Sequence, residues 1–418
     1  MKYDLIIDSR PSEVVIALLR DGLLIELHKQ KHDNNFSVGD IFLGKVRKTV
    51  PGLNASFVNI GYEKDGFLHY LDLGPQFNSF KNFTRKGIDK KLNTASLKNF
   101  KKTANLQKDG KINDALKDGD LILTQISKEP ISSKGPRLTT EISLAGRYMI
   151  LMPFSDRVSI SQKIPDSAEK ARLKKLIRSI KPHGFGVIIR TVAIGKKVAE
   201  LDRDLKNLYK KWQIISKKLK DAQPNIKILG ELNRSEAILR DLLSSKFNNI
   251  HVNNTEVQAE LKEYLSRISP EQKKIVLLHK KETPIFQEFN VTKQIKGAFG
   301  KNVTMKNGTY LVIEHTEALH VIDVNSGKKV DSNKDQETNA LVVNLEAAKE
   351  VARQLRLRDM GGIIVVDFID MKKEKNRNLL TEKMKEAMST DKAKHNVLPP
   401  TRFGLVQITR QRVRPEMN

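Results

Sequence analysis

The stretches ALHVIDVN, at positions 318–325, and GIIVVDFID, at positions 362–370, are two apolar runs that each carry an aspartate near the end. The residues between them, from about 338 to 358, have apolar side chains at helical spacing, and Gly361-Gly362 supply a stop signal for that helix. The apolar face of the predicted helix consists of Leu341, Leu345, Ala348, Ala352 and Leu355. A strand, a crossover helix and a second strand predict two parallel strands in one sheet.

Polar side chains collect where these two strands end. Asp323 and Asn325 are two residues apart and therefore share a face of the first strand, and Asp367 arrives beside them from the second. Two carboxylates and an amide oxygen are hard ligands that suit one Mg²⁺ or Mn²⁺ ion. The spacing alone leaves open that the aspartates only cap strand ends or bind local backbone amides. Asp370 lies beyond the expected strand end and is a weaker candidate.

The composition of the 418-residue chain points to a polyanionic partner. The 75 Lys and Arg outnumber the 49 Asp and Glu and give a formal net charge of +26. Such an excess attracts nucleic acid first and an acidic membrane surface second, and no apolar run is long enough to span a membrane. The chain contains no cysteine. This excludes disulfides and thiolate metal sites and is compatible with a reducing cytoplasm, where we expect the protein to be located.

A strand-rich block from about 38 to 72 predicts a nucleic-acid-binding barrel. Its short strands and glycine bends suggest a small OB-type barrel, which binds single strands by stacking bases on exposed aromatic rings. Phe57 and Phe67 are the candidate rings, and burial in the barrel core is the alternative for both.

Residues 75–118 interrupt this block with a change of composition. They carry 11 Lys or Arg against four Asp, a net charge of +7, and show no evident apolar periodicity. We therefore expect a mobile basic loop. Two roles stay open for it, a solubilising insert without a ligand and a direct contact with RNA.

Arg190 and Thr191 follow a buried strand in the middle of the chain. A guanidinium fork and a hydroxyl are suitable donors for a terminal phosphate monoester, although an ordinary surface arginine is the default interpretation. Helical spacing is evident on either side, over 166–180 and over 196–220.

Segments of the last region closely resemble the catalytic region of the ribonuclease E/G family. The matching segments are VIDVNS (321–326), TN (338–339), NLEAA (344–348), RQLRLRD (353–359) and GGIIVVDFIDM (361–371). Other stretches agree in order along almost the whole chain, with looser matches in 75–118 and in parts of 196–260.

The resemblance implies an activity and its metal-binding residues. The implied activity is an endoribonuclease that uses Mg²⁺, or Mn²⁺ in its place, and cuts single-stranded RNA to leave 5′-phosphate and 3′-hydroxyl ends. The implied processes are ribosomal RNA maturation and mRNA decay. The metal-binding aspartates of the family fall on Asp323 and Asp367, and its supporting asparagine falls on Asn325.

The resemblance also implies how RNA is bound. Phe57 and Phe67 match phenylalanines that face RNA on the family's barrel, and Lys134 matches a basic residue of that surface, although an ordinary exposed lysine is the alternative.

A pocket that senses a 5′-monophosphate is implied by the same resemblance at Arg190 and Thr191, with backbone contacts from Gly146 and Ile150. Binding at a remote RNA end would then position the scissile phosphate at the metal.

The implied architecture is a multidomain α/β and β protein. A structural ribonuclease H-like lobe takes residues 1–36 and 236–298, and an OB-type RNA-binding barrel takes 37–140 with the basic insert. The sensor takes 141–235, and a DNase-like α/β catalytic subdomain takes 299–418. Asp4, Asp8 and Glu26 lie in the structural lobe, and we do not expect them to form a second active site.

The chain departs from the family pattern at its end. Family members usually carry a Cys-x-x-Cys segment shortly after the stretch that matches 402–405, and two chains share a zinc through it. No cysteine follows here, so either the sequence is a piece of a longer protein or this member lacks the link. We expect no structural zinc from cysteine and a homodimer that is weakened or lost. The long acidic tail of the ribonuclease E branch is also missing, so the chain resembles the ribonuclease G branch more.

Two other functions stay open at this stage. A protein that has kept the RNA-binding surface and lost cleavage would bind RNA without forming a metal-dependent product, but the intact set of Asp323, Asn325 and Asp367 argues against it. A nuclease that acts on DNA is not excluded by a barrel that binds single strands.

Overall fold

A computed structural model of the chain describes residues 2–31, 36–130, 134–243, 247–305, 308–327, 335–401, 404–412 and 416–417. Arg402 and Phe403, which belong to the family-matching stretch before the expected Cys-x-x-Cys segment, lie outside these residues. Within the described ranges, no helix combines the length and the apolar character that crossing a membrane requires.

The strands follow one another along the whole chain. They are β1 (Tyr3–Ser9), β2 (Glu13–Arg20), β3 (Leu23–Lys31), β4 (Ile41–Val50), β5 (Ala55–Asn59), β6 (Gly66–His69), β7 (Leu121–Lys128), β8 (Arg137–Thr139), β9 (Leu144–Ala145), β10 (Met149–Pro153), β11 (Val158–Ile160), β12 (Phe185–Ile189), β13 (Ile226–Leu229), β14 (Phe247–Val252), β15 (Val276–Leu278), β16 (Asn302–Thr304), β17 (Tyr310–His315), β18 (His320–Asn325), β19 (Gly362–Asp367), β20 (His395–Val397) and β21 (Leu405–Arg410).

Helices alternate with these strands. The α-helices are α1 (Phe77–Ile88), α2 (Ile112–Ala115), α3 (Ser167–Ile180), α4 (Val198–Lys218), α5 (Arg234–Leu242), α6 (Thr255–Ile268), α7 (Ile285–Glu288), α8 (Val291–Ala298), α9 (Gln336–Leu357) and α10 (Glu374–Met388). Short 3₁₀ turns occur at Pro51–Leu53, Tyr70–Asp72, Thr191–Ala193 and Pro270–Ile275. The helices predicted over 166–180 and 196–220 are confirmed as α3 and α4.

The chain divides into two compact units. One contains Met1–His32 and Ser244–Asn418, and the other contains Asp33–Leu243. The predicted multidomain α/β architecture is confirmed at this level. The finer division into four parts stays a prediction.

A six-stranded sheet carries the two aspartate strands in the first unit. Its order is β16-β17-β18-β19-β21-β20, in which β18 and β19 are parallel and the other neighbours are antiparallel. The predicted parallel pairing is therefore confirmed. Apolar side chains from α9 and α10 pack with those of the sheet in one core.

The crossover helix α9 begins at an N-cap, where the Asp335 side chain accepts a hydrogen bond of 2.7 Å from the backbone N–H of Thr338. Its buried face is wider than the predicted one. Ala348, Ala352 and Leu355 are buried as expected, but Leu341 and Leu345 are only half-buried. The additional buried positions are Ala340, Val343, Ala347 and Val351. Small alanines in this set allow the helix to approach the sheet closely.

A five-stranded sheet, ordered β15-β14-β1-β2-β3, is the other sheet of the first unit. Its strands β2 and β3 are joined at Asp21 and Gly22, whose φ angles of 49° and 79° fit a two-residue hairpin turn. Side chains from α7 and α8 complete the core beside it.

A closed barrel forms the first part of the second unit. Strands β4, β5, β6, β8 and β7 follow one another as neighbours, and a pairing of β7 with β4 closes the ring. Strand β13 adds to the other side of β4. Gly44 lies on β4, where an added Cβ would be 2.6 Å from Cγ1 of Val58, so only glycine fits there.

The expectation of a basic loop over 75–118 is wrong for two parts of that range, which are helical. Residues 77–88 form the helix α1, and Phe77, Phe80 and Phe83 are buried along one side of it. The Nε1–H of Trp212 donates a 2.9 Å hydrogen bond to the carbonyl of Ala95, so the stretch after α1 also contacts the core. The phenylalanines recur at a spacing of three, which is a helical stripe, but the surrounding Lys and Asn residues dilute it.

A four-stranded sheet, ordered β11-β12-β10-β9, completes the second unit. Helices α3 and α4 contact its strands, and their apolar side chains share one large core with it. This arrangement holds the loop between β9 and β10 next to the end of β12.

Candidate active site

The parallel strands β18 and β19 bring two carboxylates together. Asp323 and Asp367 are register partners on these neighbouring strands, so their backbones lie about 4.8 Å apart across the sheet and their side chains share one face. Both side chains are exposed, whereas their neighbours Ile322 and Val366 are fully buried. The alternation of the strands thus directs the aspartates away from the core.

Asn325 supports this pair, since its Nδ2 donates a 2.7 Å hydrogen bond to Oδ2 of Asp323. The two side chains therefore share a face, as the spacing of two residues predicted. The bond fixes the orientation of the Asp323 carboxylate while Asp367 stands opposite it.

The electrostatics of the site favour a cation. Burial raises the pKa of Asp367 above its ordinary value, and the negative charges of Asp323 and Asp370 raise it further. The exposed Asp370 is therefore close enough to join the carboxylate group, although the sequence made it the weaker candidate. Carboxylates that repel one another at an open sheet edge fit a hard divalent ion, because the ion removes the repulsion.

Asn344 is a supporting residue that the sequence reasoning did not single out. It is fully buried on α9, and its side chain forms two hydrogen bonds with the backbone of Ile369. Nδ2 donates to the carbonyl at 2.7 Å, and Oδ1 accepts from the N–H at 3.0 Å. This clamp fixes the chain between Asp367 and Asp370. The sequence feature that could have identified Asn344 is a polar residue among the otherwise apolar positions on the buried face of a helix.

The barrel presents its two candidate phenylalanines side by side. Phe57 on β5 and Phe67 on β6 are register partners, and their rings meet edge to face with centroids 5.9 Å apart. Both are half-buried, so neither is a core residue of the kind that Phe42 and Phe77 are. The alternative of a fully buried position is therefore wrong for both rings.

Lys134 is exposed shortly before β8. The chain at the next residue, Gly135, passes so close to Asp65 that an added Cβ would lie 2.1 Å from its carbonyl oxygen. Strand β8 is the parallel neighbour of β6, and the two strands pair at Phe67. Lys134 therefore precedes the strand next to the one that carries Phe67.

The predicted phosphate-sensor residues come from separate strands. Arg190 directly follows β12, and its Nη1 donates a 2.7 Å hydrogen bond to the carbonyl of Gly146. Thr191 begins the 3₁₀ turn after it, and Ile150 lies half-buried on the neighbouring β10. The structure thus brings Arg190 to the backbone of Gly146, with Thr191 adjacent.

Asp241, which the sequence reasoning missed, is the ionic partner of Arg190. Nη2 of Arg190 lies 2.7 Å from Oδ1 of Asp241, and Nε of Arg240 lies 3.1 Å from the same oxygen. The Arg190 side chain is about a quarter exposed. No local pattern marks Asp241, because its partner is distant along the chain.

Asp204 fixes the loop that Arg190 contacts. Its carboxylate accepts backbone hydrogen bonds from Arg147 at 3.1 Å, from Tyr148 at 2.8 Å and from Met149 at 3.3 Å. Burial nevertheless raises the pKa of Asp204, because its cost outweighs these bonds. An added Cβ on Gly146 would lie 2.7 Å from Oδ2 of Asp204, so the loop closes tightly over the carboxylate.

Comparisons with known proteins identify relatives of this chain. The model of the ribonuclease E/G family matches residues 143–413. Ribonuclease G of Haemophilus influenzae is 34% identical over 414 residues, which cover 99% of this chain and 80% of that protein. Ribonuclease G of Escherichia coli K12 is 33% identical over 99% of this chain and 81% of its own length. Ribonuclease E of a Nostoc species is 37% identical over 90% of this chain and 51% of its own length.

These similarities define the class of the protein as a ribonuclease. The chain belongs to the ribonuclease E/G family, as its sequence motifs predicted.

Proposed function

We propose that this protein is a divalent-metal-dependent endoribonuclease that cleaves single-stranded RNA and leaves 5′-phosphate and 3′-hydroxyl ends. The observation that carries the proposal is the pairing of Asp323 with Asp367 across two parallel strands in a member of a ribonuclease family. The proposed processes are ribosomal RNA maturation and mRNA decay.

Asp323 and Asp367 would hold the ion, which we propose to be Mg²⁺ or Mn²⁺, and Asn325 would orient Asp323. When bound, such an ion polarises a phosphodiester and stabilises the leaving oxyanion. Both aspartates are exposed, so an RNA backbone has access to them. Water is the proposed nucleophile. Its attack on phosphorus breaks the bond to the 3′ oxygen, so one product ends in a 3′-hydroxyl and the other begins with a 5′-phosphate.

The barrel supplies the proposed RNA-binding surface and is of the OB type in this proposal. Exposed parts of Phe57 and Phe67 offer faces for base stacking, and Lys134 supplies a positive charge for the backbone. Because stacking tolerates every base, this surface favours single strands over a fixed sequence.

A 5′-monophosphate would stimulate cleavage through Arg190 and Thr191. The Arg190 guanidinium and the Thr191 hydroxyl are the proposed donors, with the backbone at Gly146 and Ile150 beside them. Asp241 holds the guanidinium in place, so little side-chain entropy is lost when a phosphate binds.

The remaining assignments complete the proposal. Residues 1–36 and 236–298 are proposed as a ribonuclease H-like structural lobe, 141–235 as the sensor and 299–418 as a DNase-like catalytic subdomain. Whether two chains associate stays a prediction.

The test is an oligonucleotide cleavage assay. A 5′-labelled single-stranded RNA is incubated with and without Mg²⁺, using the wild-type protein and Asp323→Asn. We expect shorter labelled products only from the wild type with Mg²⁺. Binding without any product would support the RNA-binding alternative, and cleavage of the equivalent DNA at the same rate would support the DNA nuclease.

A further inference from the structure

Two histidines and a glutamate meet at the opposite end of strand β18 from Asp323. His315 ends β17, and His320 begins β18 as its register partner across the hairpin. Their Nδ1 atoms lie 2.7 Å apart. Glu416 joins them from the end of the chain, with Oε1 at 3.0 Å from Nε2 of His320 and Oε2 at 4.0 Å from Nδ1 of His315.

The hydrogen bonds of His320 fix the roles of its two ring nitrogens, with Nδ1 facing His315. Its Nε2 lies within bonding distance of the carbonyl of Gly361, at 3.1 Å, and of Glu416. Both of these atoms are acceptors, so Nε2 carries the proton and Nδ1 presents a lone pair in the neutral ring. A ring nitrogen held by a backbone carbonyl and a carboxylate is the outer arrangement typical of metal-binding histidines.

Hydrogen bonds to one carboxylate oxygen, Oε1, fix the position of Glu416. Oε1 accepts from the backbone N–H of Gly361 at 3.1 Å and from Nη2 of Arg412 at 2.8 Å. Oε2 is the oxygen that lies towards His315. The cationic groups nearby are Arg412, which is engaged with Oε1, and Arg358, which is near His315. The carboxylate therefore keeps one oxygen on the side of the two imidazoles.

We propose that His315, His320 and Glu416 form a binding site for a transition-metal ion of the Zn²⁺ class. One nitrogen from each histidine and one oxygen of the glutamate all lie within 4.8 Å of one another. Two imidazoles and a carboxylate are a ligand set that suits Zn²⁺, and a fourth position remains for water. This ion differs from Mg²⁺, which prefers oxygen ligands alone.

The ligand atoms must shift for the ion to enter, and Oε2 of Glu416 must approach from its present 4.0 Å from Nδ1 of His315. Two nitrogens bound to one tetrahedral Zn²⁺ lie about 3.3 Å apart, so the 2.7 Å separation must open by about 0.6 Å. The side chain of His315 is 35% exposed and gives the ion access, whereas His320 is 7% exposed and anchored. Burial and the nearby His320 lower the pKa of His315, whereas the hydrogen bond to Glu416 raises the pKa of His320, so the ion must displace a proton more readily held by His320.

The consequence of binding would be structural. The ion would fasten the β17–β18 hairpin to the segment that carries Glu416, at a point about 10 Å along β18 from Asp323. The expectation that this chain holds no structural zinc rested on its lack of cysteine, and this site needs none.

The test is a Zn²⁺ titration by calorimetry in excess Mg²⁺, which occupies oxygen-ligand sites. We expect the wild type to bind one Zn²⁺, and His315→Gln and Glu416→Gln to bind it at least about tenfold more weakly. The exposed His183→Gln is the matched control and should bind as the wild type does. Asp323→Asn should also bind Zn²⁺ normally, which separates this site from the proposed active site.

Two further measurements guard against misfolded variants. Circular dichroism checks that His315→Gln is folded, and Zn²⁺ should raise the thermal midpoint of the wild type but not that of this variant. Co²⁺ should give the intense visible absorption of a tetrahedral site only when the three ligands are present. A wild type that takes up no Zn²⁺, or equal affinity in the wild type and both ligand variants, would overturn the proposal.

Discussion

Asp323 and Asp367 stand opposite each other on two parallel strands, β18 and β19, although the whole of helix α9 separates them in the chain. Parallel strands need such a crossover, so the same helix that covers the sheet also delivers the second carboxylate to the first. The closeness of the two charges raises the pKa of Asp367 together with its burial, and their repulsion is the feature that a divalent ion would relieve.

Replacing Asp367 by Asn should abolish cleavage and leave RNA affinity within a few-fold of the wild type, because the proposed metal ligand is lost while the barrel is untouched. Gel assays of cleavage and fluorescence anisotropy of binding measure the two effects separately. Asp8→Asn is the control, since Asp8 lies on the five-stranded sheet and pairs with Arg10. Full activity in Asp367→Asn would remove the metal assignment.

Replacing Arg190 by Ala should slow cleavage of 5′-monophosphorylated RNA by roughly ten- to a hundredfold, because a charge-assisted hydrogen bond contributes about 1.5–3 kcal/mol. Cleavage of 5′-hydroxyl RNA should change little. Arg172→Ala is a matched control in the same unit, where Arg172 pairs with Glu169 on an exposed helix surface. Equal slowing of both substrates by Arg190→Ala would argue against a sensor pocket.

Truncating Phe57 or Phe67 to Ala should weaken binding of single-stranded RNA by about 1–3 kcal/mol for each stacked base. A Tyr replacement keeps an aromatic face and should bind nearly as well as the wild type. Anisotropy titrations at fixed salt give the comparison. If Phe57→Ala and Phe57→Tyr bind RNA equally well, base stacking does not occur at this position.

RNA affinity should fall steeply as salt increases, because the basic surface releases counterions from many phosphates. Titrations at several salt concentrations give the slope of log affinity against log salt. Lys134→Ala should reduce this slope by about 1 and weaken all sequences alike. A flat salt response in the wild type would contradict an electrostatic RNA surface.

Gly146→Ala should destabilise the second unit by about 1–3 kcal/mol, because the new methyl group would collide with the Asp204 carboxylate. Chemical denaturation measures the loss. Gly52→Ala is the control, since nothing lies within 4 Å of the Cβ position there. Unchanged stability in Gly146→Ala would mean that the loop can move away from Asp204, and its link to Arg190 would then be loose.

Local patterns made the sheet that carries Asp323 and Asp367 predictable. Two apolar runs with a helical pattern between them define strand, helix and strand, and the alternation within β18 puts Asp323 and Asn325 on one face. The same reasoning failed for α1, whose buried phenylalanines are spread among Lys and Asn residues. Phe80 and Phe83 of this helix pack against Trp212, and this tertiary contact buries a face that the local sequence pattern marks only weakly.

Partners that are distant along the chain were not predictable from one sequence. Asp241 reaches Arg190, Asp204 reaches the loop after Gly146, and Glu416 reaches His320 only because the tertiary fold brings them together. Each is an isolated acidic residue without a motif around it. Periodicity describes which face of an element is buried, but it contains no information on which distant side chain meets that face.

Side chains of β18 and β19 alternate strictly between the packed interior and the open face, with Ile322, Val324 and Val366 on the inner side. Gaining or losing a single residue within either strand would therefore exchange the two faces, turning an aspartate inward among aliphatic groups and an aliphatic group outward. Insertions and deletions in relatives should consequently be confined to the connecting segments. Within these two strands, the number of residues between the buried positions and the aspartate should stay constant.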